Sequence, residues 1–258
     1  MGIERTDKWL DEYFYDPLRI CRQMRSSFKD KGESELYRYL LTFGMYRPSR
    51  MTNEIFHELK KSDSWTKVEK LYAEYQKKWN GPDIPVYIFP FGKKRASKSE
   101  MKGGVSFKDA MILFLSHYNN EEKELEALFV HEYHHVCRLN ESHKPLKDYT
   151  LIDSLVMEGF AEHAVTTYCG DSYNANWVSR YSDEELRHYW ERDVKKHLQA
   201  KRTDPIHDAI LFGKFRYPDL LGYSLGYWLI KKASQKKHFS IQDTFSVKSE
   251  KLMDYMIP

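Results

Sequence analysis

The chain has 258 residues, of which 41% are hydrophobic and 31% charged, and this length suffices for one catalytic domain with a helical extension. Its formal net charge of +3, from 41 Lys and Arg against 38 Asp and Glu, does not indicate a nucleic acid or another polyanion as a partner. Three widely spaced cysteines do not suggest a disulfide framework, and we find neither a secretion signal nor the ~18 apolar residues of a membrane span, so we expect a cytoplasmic protein without a membrane partner.

The first eighty residues are predicted to be helical throughout. In the clearest helix, Ser64 is the N-cap and Asn80-Gly81-Pro82 is the stop signal, and apolar residues recur with a period of 3.6. The buried stripe of this helix should consist of Val68, Leu71, Tyr72, Tyr75 and Trp79. We expect residues 1–80 to form an N-terminal helical segment that packs on residues 81–258.

Three strands are predicted after Pro82. Residues 84–89 form a β-rich run between prolines, which indicates an outer strand, and the continuous apolar run 111–116 indicates a central one. Between them, residues 103–107 begin with two glycines and then alternate, as is typical of a short exposed strand. The pattern predicts a small β-sheet in a predominantly helical α+β fold.

Four helices are predicted in the second half of the chain. The first begins after Asn119-Asn120, and the second covers about residues 150–169. The third begins at Ser182, where Glu185 completes a capping box, and the fourth runs from Pro218 toward Lys237.

The first of these helices contains the pattern H-E-x-x-H at residues 131–135. Because helical residues four apart lie on one face, His131 and His135 can direct their imidazoles at one ion, with Glu132 beside them. Chance would produce the pattern about 4% of the time in such a chain. However, five apolar residues share the face of these polar groups, and buried polar groups without partners cost a few kcal/mol each. These apolar residues are Leu125, Leu128, Phe129, Val136 and Leu139.

Two histidines leave a zinc ion short of a third protein ligand. The extended metzincin pattern requires Gly and His where this chain has Arg138 and Glu141. The next helix offers Glu158 and Glu162, which are four residues apart on an otherwise apolar stripe. Either carboxylate could complete the site.

H-E-x-x-H followed about twenty residues later by E-G-x-A-E resembles the gluzincin peptidases. The order of a short glycine-led strand and a late Gly-Tyr-x-x-Gly is similar to the YjaZ-like predicted zinc-dependent proteases of bacteria, the minigluzincins. The resemblance covers roughly residues 80–235. It implies a gluzincin-like zincin fold, in which a small mixed sheet lies above the H-E-x-x-H helix and a second helix bears a glutamate.

The resemblance also implies roles for the residues of the motifs. His131, His135 and Glu158 would bind Zn²⁺, and Glu132 would be the general base for a zinc-activated water. Glu162 would accept a hydrogen bond from a ligating histidine. The alternative for Glu162 is a salt bridge on the surface.

The resemblance also implies a hydrogen-bond donor to the tetrahedral intermediate, near the C-terminal end of the residues that it covers. Gly222 and Gly226 are four apart and would let a helix approach another element closely. By resemblance Tyr223 is the expected donor, with Tyr227 and His207 as substitutes. The alternative is that Tyr223 is only an aromatic residue of a packing interface.

Substrate binding is expected at Gly103, Gly104 and Val105. By resemblance to gluzincins, this strand is the sheet edge to which an extended peptide adds itself, with the backbone N–H of Val105 as a candidate donor. The alternative is that the two glycines only turn the chain between surface segments.

The expected function is that of a zinc metallopeptidase, with residues 81–258 as its catalytic domain and a peptide or an unfolded protein as its substrate. H-E-x-x-H specifies an activated water and not the bond that it attacks, so a zinc hydrolase of a non-peptide substrate stays open. A latent metal-binding regulatory protein with little turnover is the other alternative. The oligomeric state is not indicated.

Overall fold

The computed structural model describes residues 2–92, 102–116, 122–142 and 144–256. It is predominantly helical with one small mixed sheet, which confirms the predicted α+β class. The chain divides into two compact units, Met1–Val136 and Cys137–Pro258. The domain boundary expected after residue 80 stays a prediction.

In its described residues, the first unit contains four strands and five complete helices, and a sixth helix begins in it. The strands are β1 (Gly2–Ile3), β2 (Pro85–Pro90), β3 (Gly103–Ser106) and β4 (Met111–Leu115). The helices are α1 (Thr6–Tyr13), α2 (Pro17–Gln23), α3 (Glu33–Phe43), α4 (Arg50–Lys61) and α5 (Ser64–Trp79), followed by α6 (Glu122–Glu141). The predicted start of α6 at Asn119-Asn120 lies outside the described residues.

The sheet has the strand order β1-β2-β4-β3. Strand β2 pairs in parallel with both β1 and β4, whereas β3 pairs antiparallel with β4. The prediction that β2 is an outer strand is therefore wrong, because β1 pairs with its other side. The same short strand means that the first eighty residues are not helical throughout.

Strands β2 and β4 are buried along their whole length. Their nearly continuous apolar sequences agree with this position, because parallel interior strands are covered on both faces. Helices α1 and α4 pack against β2. Strand β3 lies at the sheet edge among the described strands, and it is half-buried rather than exposed as predicted, since Val105 is covered.

Helix α5 follows its predicted pattern closely. Val68, Tyr72, Tyr75 and Trp79 are buried, whereas Leu71 is only partly covered. The helix begins at Ser64, with Asp63 rather than Ser64 in the N-cap position. At its C-terminal end Asn80 adopts a left-handed conformation with φ 49°, as a helix-terminating residue often does.

The second unit is helical in its described residues. Its helices are α7 (Leu151–Cys169), α8 (Asp183–Tyr189), α9 (Pro205–Phe212), α10 (Leu221–Lys236), α11 (Ile241–Ser246) and α12 (Met253–Met256). Helix α7 and the capping box of Ser182 and Glu185 before α8 are as predicted. Helix α10 begins at Leu221, three residues after the predicted Pro218, and α9, α11 and α12 were not predicted.

Helices α7 and α10 are in close contact at two glycines. A Cβ atom on Gly159 would lie 2.3 Å from the carbonyl oxygen of Gly226, and a Cβ atom on Gly226 would lie 2.3 Å from that of Leu155. Real side chains do not tolerate such distances. The two glycines therefore set the separation of these helices, and Glu158 lies next to this crossing.

The C-terminal residues are held by the buried guanidinium of Arg138. Its Nη1 donates to the carbonyl of Thr244 at 2.6 Å and its Nη2 to that of Val247 at 2.9 Å, near the end of α11. Burial lowers the pKa of Arg138 to about 10, so the group stays charged at neutral pH. Among the helices described, none has the length and apolar character that a membrane span requires.

Candidate metal centre

Helix α6 presents the two motif histidines side by side. Their Nε2 atoms are 3.0 Å apart, and the ring planes are nearly perpendicular at 87°. Two bonds of 2.0–2.1 Å at a tetrahedral angle would separate such nitrogens by about 3.4 Å, so the pair needs only a small adjustment to bind one zinc ion. The five apolar residues predicted on this face are all buried.

Glu158 of helix α7 completes the group. The ligand atoms of His131, His135 and Glu158 all lie within 4.8 Å of one another. Two imidazoles and one carboxylate are a donor set that suits zinc, and three protein ligands leave one coordination position for water or substrate. The residues present therefore fit the metal that the motif predicts. His134, between the two motif histidines in sequence, is fully buried and its ring lies 6.3 Å from that of Trp79.

Glu132 lies against strand β3. Its side chain is 7% exposed, and its Oε2 accepts a hydrogen bond of 2.6 Å from the hydroxyl of Ser106. The same hydroxyl is 2.8 Å from the backbone carbonyl oxygen of Glu132. A Cβ atom on Gly104 would lie 2.4 Å from Cγ and Cδ of Glu132, so the carboxylate occupies the space that a side chain at Gly104 would take.

The register of β3 shows which backbone groups point away from the sheet. The N–H of Phe107 bonds the carbonyl of Ala110, and hydrogen-bonded pairs alternate along an antiparallel ladder. Val105, which faces Ile112, therefore directs its N–H and C=O toward β4. The outward groups belong to Gly104 and Ser106, so the expectation that Val105 donates to a peptide is wrong.

Glu162 is 2% exposed, which excludes the alternative of a surface salt bridge. Its Oε1 accepts hydrogen bonds from the backbone N–H of Ala175 at 3.0 Å and from Nδ2 of Asn174 at 3.3 Å. These bonds fix the carboxylate one helical turn after Glu158. Its predicted bond to a ligating histidine stays a prediction.

Tyr223 and Tyr227 lie in different surroundings on helix α10. Tyr223 is half-buried, with its ring 5.4 Å from that of Trp177 and 6.1 Å from that of Phe212. The hydroxyl of Tyr227 is 3.1 Å from Oγ1 of Thr166, and burial raises the pKa of Tyr227. Tyr223 is thus part of an aromatic cluster, while its predicted role toward substrate stays a prediction.

His207 is fully buried and both ring nitrogens have partners. Its Nε2 lies 2.9 Å from the hydroxyl of Ser154, and its Nδ1 lies 3.0 Å from the carboxylate of Asp208. A ring held at both nitrogens is poorly placed to turn toward a substrate. His207 is therefore the weakest of the three candidate donors.

Sequence reasoning missed Ser106 as a partner of Glu132. The residue fell within the predicted strand, and alternation along a strand places Gly104 and Ser106 on one face. A small residue and a hydroxyl two positions apart are the available signal. The sequence does not tell which helix residue that face meets.

Comparison with known proteins identifies a family that covers most of the chain and a relative that matches over its full length. Residues 64–254 match the model of a family described as predicted Zn-dependent protease (DUF2268). The chain is 32% identical over 262 residues to the uncharacterized protein YjaZ of Bacillus subtilis (strain 168), covering 100% of both chains. No solved structure matches it.

Proposed function

Because the chain belongs to the family of predicted Zn-dependent proteases, as its motifs indicated, we propose that it is a zinc metallopeptidase of the gluzincin type. The observation that carries the proposal is the convergence of three ligand atoms from His131, His135 and Glu158 within 4.8 Å. Glu132 follows the first ligand directly in the same helix. The proposed substrate is a peptide or an unfolded protein.

The proposed ligands would be two neutral imidazoles and one carboxylate. A zinc ion held by them supplies a Lewis acid and lowers the pKa of water toward ~7. Glu162, which is buried one turn beyond Glu158, is proposed to orient a ligating histidine.

Glu132 is proposed as the general base. It takes a proton from the attacking water and later returns it to the leaving amine, so no net proton is consumed by the enzyme. Its carboxylate is buried and already held by Ser106, so little reorganisation is needed when the substrate arrives. Its side chain is not part of the group of ligand atoms.

The outer edge of β3 is proposed to bind the substrate backbone. Gly103, Gly104 and Val105 form the strand beside Glu132, and Gly104 and Ser106 direct backbone groups outward. An extended peptide can pair with such groups as an added strand. Pairing through the backbone would align the scissile bond and demand little of the substrate side chains.

Tyr223 remains the proposed donor to the tetrahedral intermediate. Its partial exposure supports this role, because a hydroxyl that reaches substrate needs an open side. Tyr227 is the second choice, since its hydroxyl already lies within hydrogen-bond distance of Thr166. A donor of this kind stabilises the developing oxyanion and is worth about 10²- to 10³-fold in kcat.

The proposal is tested by metal analysis of the purified protein and by digestion of a peptide library. We expect one zinc per chain, with turnover that Glu132→Gln lowers by about 10²- to 10⁴-fold while zinc stays bound. A protein that binds zinc but leaves every peptide intact would instead favour a non-peptide substrate or a latent regulatory protein. A protein that binds no zinc would contradict the proposal.

A further inference from the structure

One face of strand β3 rests on the proposed general base. Side chains alternate along a strand, so Gly104 and Ser106 lie on one face of β3 and Gly103 lies on the opposite face. The structure agrees: the position of a Cβ on Gly104 coincides with Glu132, whereas a Cβ on Gly103 would lie 3.2 Å from the carbonyl oxygen of Phe43. The face toward α6 thus offers one empty position and one hydroxyl.

These two residues hold the two sides of the Glu132 carboxylate. Oε2 accepts the hydrogen bond from Ser106, at 2.6 Å, and Oε1 would be only 2.6 Å from a Cβ on Gly104. A larger residue at position 104 would push the carboxylate away. A residue without a hydroxyl at 106 would leave Oε2 without this donor in a site where Glu132 is 7% exposed.

We propose that Ser106 is a positioning residue for Glu132, and that Gly104 provides the space in which the carboxylate is held. This inference rests on the proposed function, because it assigns the base of that reaction a fixed orientation. With Oε2 bonded to Ser106, Oε1 is the oxygen left to take the proton from water. The hydroxyl itself does not touch the reacting atoms.

The hydroxyl of Ser106 suits Glu132 both before and after proton transfer. It has one proton and two acceptors within reach, Oε2 at 2.6 Å and the backbone oxygen of Glu132 at 2.8 Å. While Glu132 is a carboxylate, the hydroxyl donates to Oε2. Once Glu132 carries the proton, the hydroxyl can donate to the backbone oxygen instead, so the side chain keeps its position throughout the cycle.

The same residues also connect the base to the proposed substrate edge. The backbone groups of Gly104 and Ser106 point outward from the sheet, while their side-chain positions contact Glu132. A peptide that pairs with this edge therefore meets the strand that orients the base. Positioning of the substrate and positioning of the base are then fixed by one element.

The first test compares Ser106→Ala with Ser106→Thr. Loss of a hydrogen bond to a charged group should lower kcat by about 10- to 100-fold with KM changed less than about threefold and full zinc content. Threonine retains the hydroxyl and should keep kcat within about threefold of the parent. The control is Ser116→Ala, a buried serine just beyond the opposite end of β4, which should keep normal turnover. Equal kcat in Ser106→Ala and the parent, or equal losses in the alanine and threonine variants, would overturn the inference.

The second test does not depend on peptidase activity. A double-mutant cycle of Ser106→Ala and Glu132→Ala, followed by urea unfolding of the protein as purified, measures the coupling of the two side chains. Each variant raises the unfolding constant by some factor over the parent. We expect the factor for the double variant to be about tenfold smaller than the product of the factors for the two single variants. Additive changes in unfolding free energy would show that the two side chains do not interact and would overturn the inference. A protein without peptide turnover that shows this coupling would refute the proposed function but leave the Ser106–Glu132 pair intact.

Discussion

At the scale of single residues, the two glutamates Glu132 and Glu158 differ in what their side chains contact. Glu158 belongs to the group of ligand atoms, whereas Glu132 is bonded to Ser106 on the adjacent strand. A carboxylate that binds the metal must face the ion, whereas a general base must face the water beside the ion. Their substitution by glutamine should therefore have different consequences.

We predict that Glu158→Gln weakens zinc binding by about 10-fold or more, because the neutral amide is a poorer ligand. Glu132→Gln should keep the metal and lose turnover by about 10²- to 10⁴-fold. Metal content after dialysis against a weak chelator, together with kcat on the metal-saturated variants, separates the two. Equal metal loss in both variants would contradict the roles assigned to them.

A second prediction at this scale concerns Asp153, which caps helix α7. Burial alone would raise its pKa, but hydrogen bonds from Lys144 and Thr150 outweigh burial and hold the pKa below the ordinary value. A carboxylate with a lowered folded pKa stabilises the protein above its unfolded pKa near 4, and this contribution is lost as pH falls through the folded value. Asp153→Asn should therefore destabilise the protein by about 1 kcal/mol at pH 7.

Urea unfolding at several pH values checks this prediction. The difference in unfolding free energy between parent and Asp153→Asn should be constant from pH 7 to about 5 and shrink as pH falls below about 4. A difference that grows toward acid pH would show that Asp153 is not stabilised as a carboxylate.

At the scale of elements, the crossing of α7 and α10 fixes where Glu158 lies. Gly159 follows this proposed ligand directly, and its Cα faces the backbone of Gly226. We predict that Gly159→Ala destabilises the protein by roughly 2–3 kcal/mol, since a methyl group forces the helices apart. Zinc affinity should fall with it, because Glu158 moves with the helix.

The matched control for this substitution is Gly32→Ala. Gly32 has an ordinary φ of -69° and nothing within 4 Å of the position of its Cβ. This variant should unfold within about 0.5 kcal/mol of the parent. If both glycine variants were equally stable, close packing at the crossing would not be what places Glu158.

A further prediction at this scale concerns the outer edge of β3. Only alternate residues of an added strand direct their N–H groups toward the edge. We therefore consider a series of variants of one cleaved peptide, each N-methylated at a single position. Methylation at every second position should lower turnover at least tenfold, and methylation at the positions in between should change it little. Measured cleavage rates for such a series check the pairing, and uniform tolerance of N-methylation would exclude it.

Val105→Pro is a test of the sheet rather than of the substrate edge. The N–H of Val105 points toward Ile112, so proline would remove a bond of the β3–β4 ladder. We expect this variant to be destabilised.

At the scale of the whole molecule, the proposed metal joins residues that are distant in sequence. His131 and His135 belong to α6, and Glu158 belongs to α7. A ligand that binds only the folded chain stabilises it by about 4 kcal/mol at a thousandfold excess over its Kd. We predict that chelation lowers the Tm by roughly 10 °C and that added Zn²⁺ restores it.

The control for chelation is His131→Ala. This variant lacks one ligand, so its Tm should respond little to chelator or to added Zn²⁺. Calorimetry of both proteins with and without chelator makes the comparison. An equal response in the variant would place the bound metal elsewhere in the chain.

Much of this molecule follows from local sequence signals. Helix α7, the capping box before α8 and the buried stripe of α5 depend on residues a few positions apart, so their patterns are visible in the sequence. The same is true of His131 and His135, because the helical repeat itself brings residues four apart together. The family resemblance rested on these local motifs and is confirmed.

The remaining features depend on contacts between residues far apart in the chain. Strand β1 has only two residues and too little pattern to predict, yet its pairing makes β2 an interior strand. Likewise, the residue pattern left both Glu158 and Glu162 open as the third ligand, and only the family resemblance favoured Glu158. The packing of α7 brings Glu158 into the group of ligand atoms and Glu162 to Asn174 and Ala175. The bond from Ser106 to Glu132 spans 26 residues, and no local period encodes which helix a strand face will meet. Sequence thus determined the elements and the paired histidines, whereas the tertiary structure decided which distant side chains complete the site, because only packing selects among equally suitable partners.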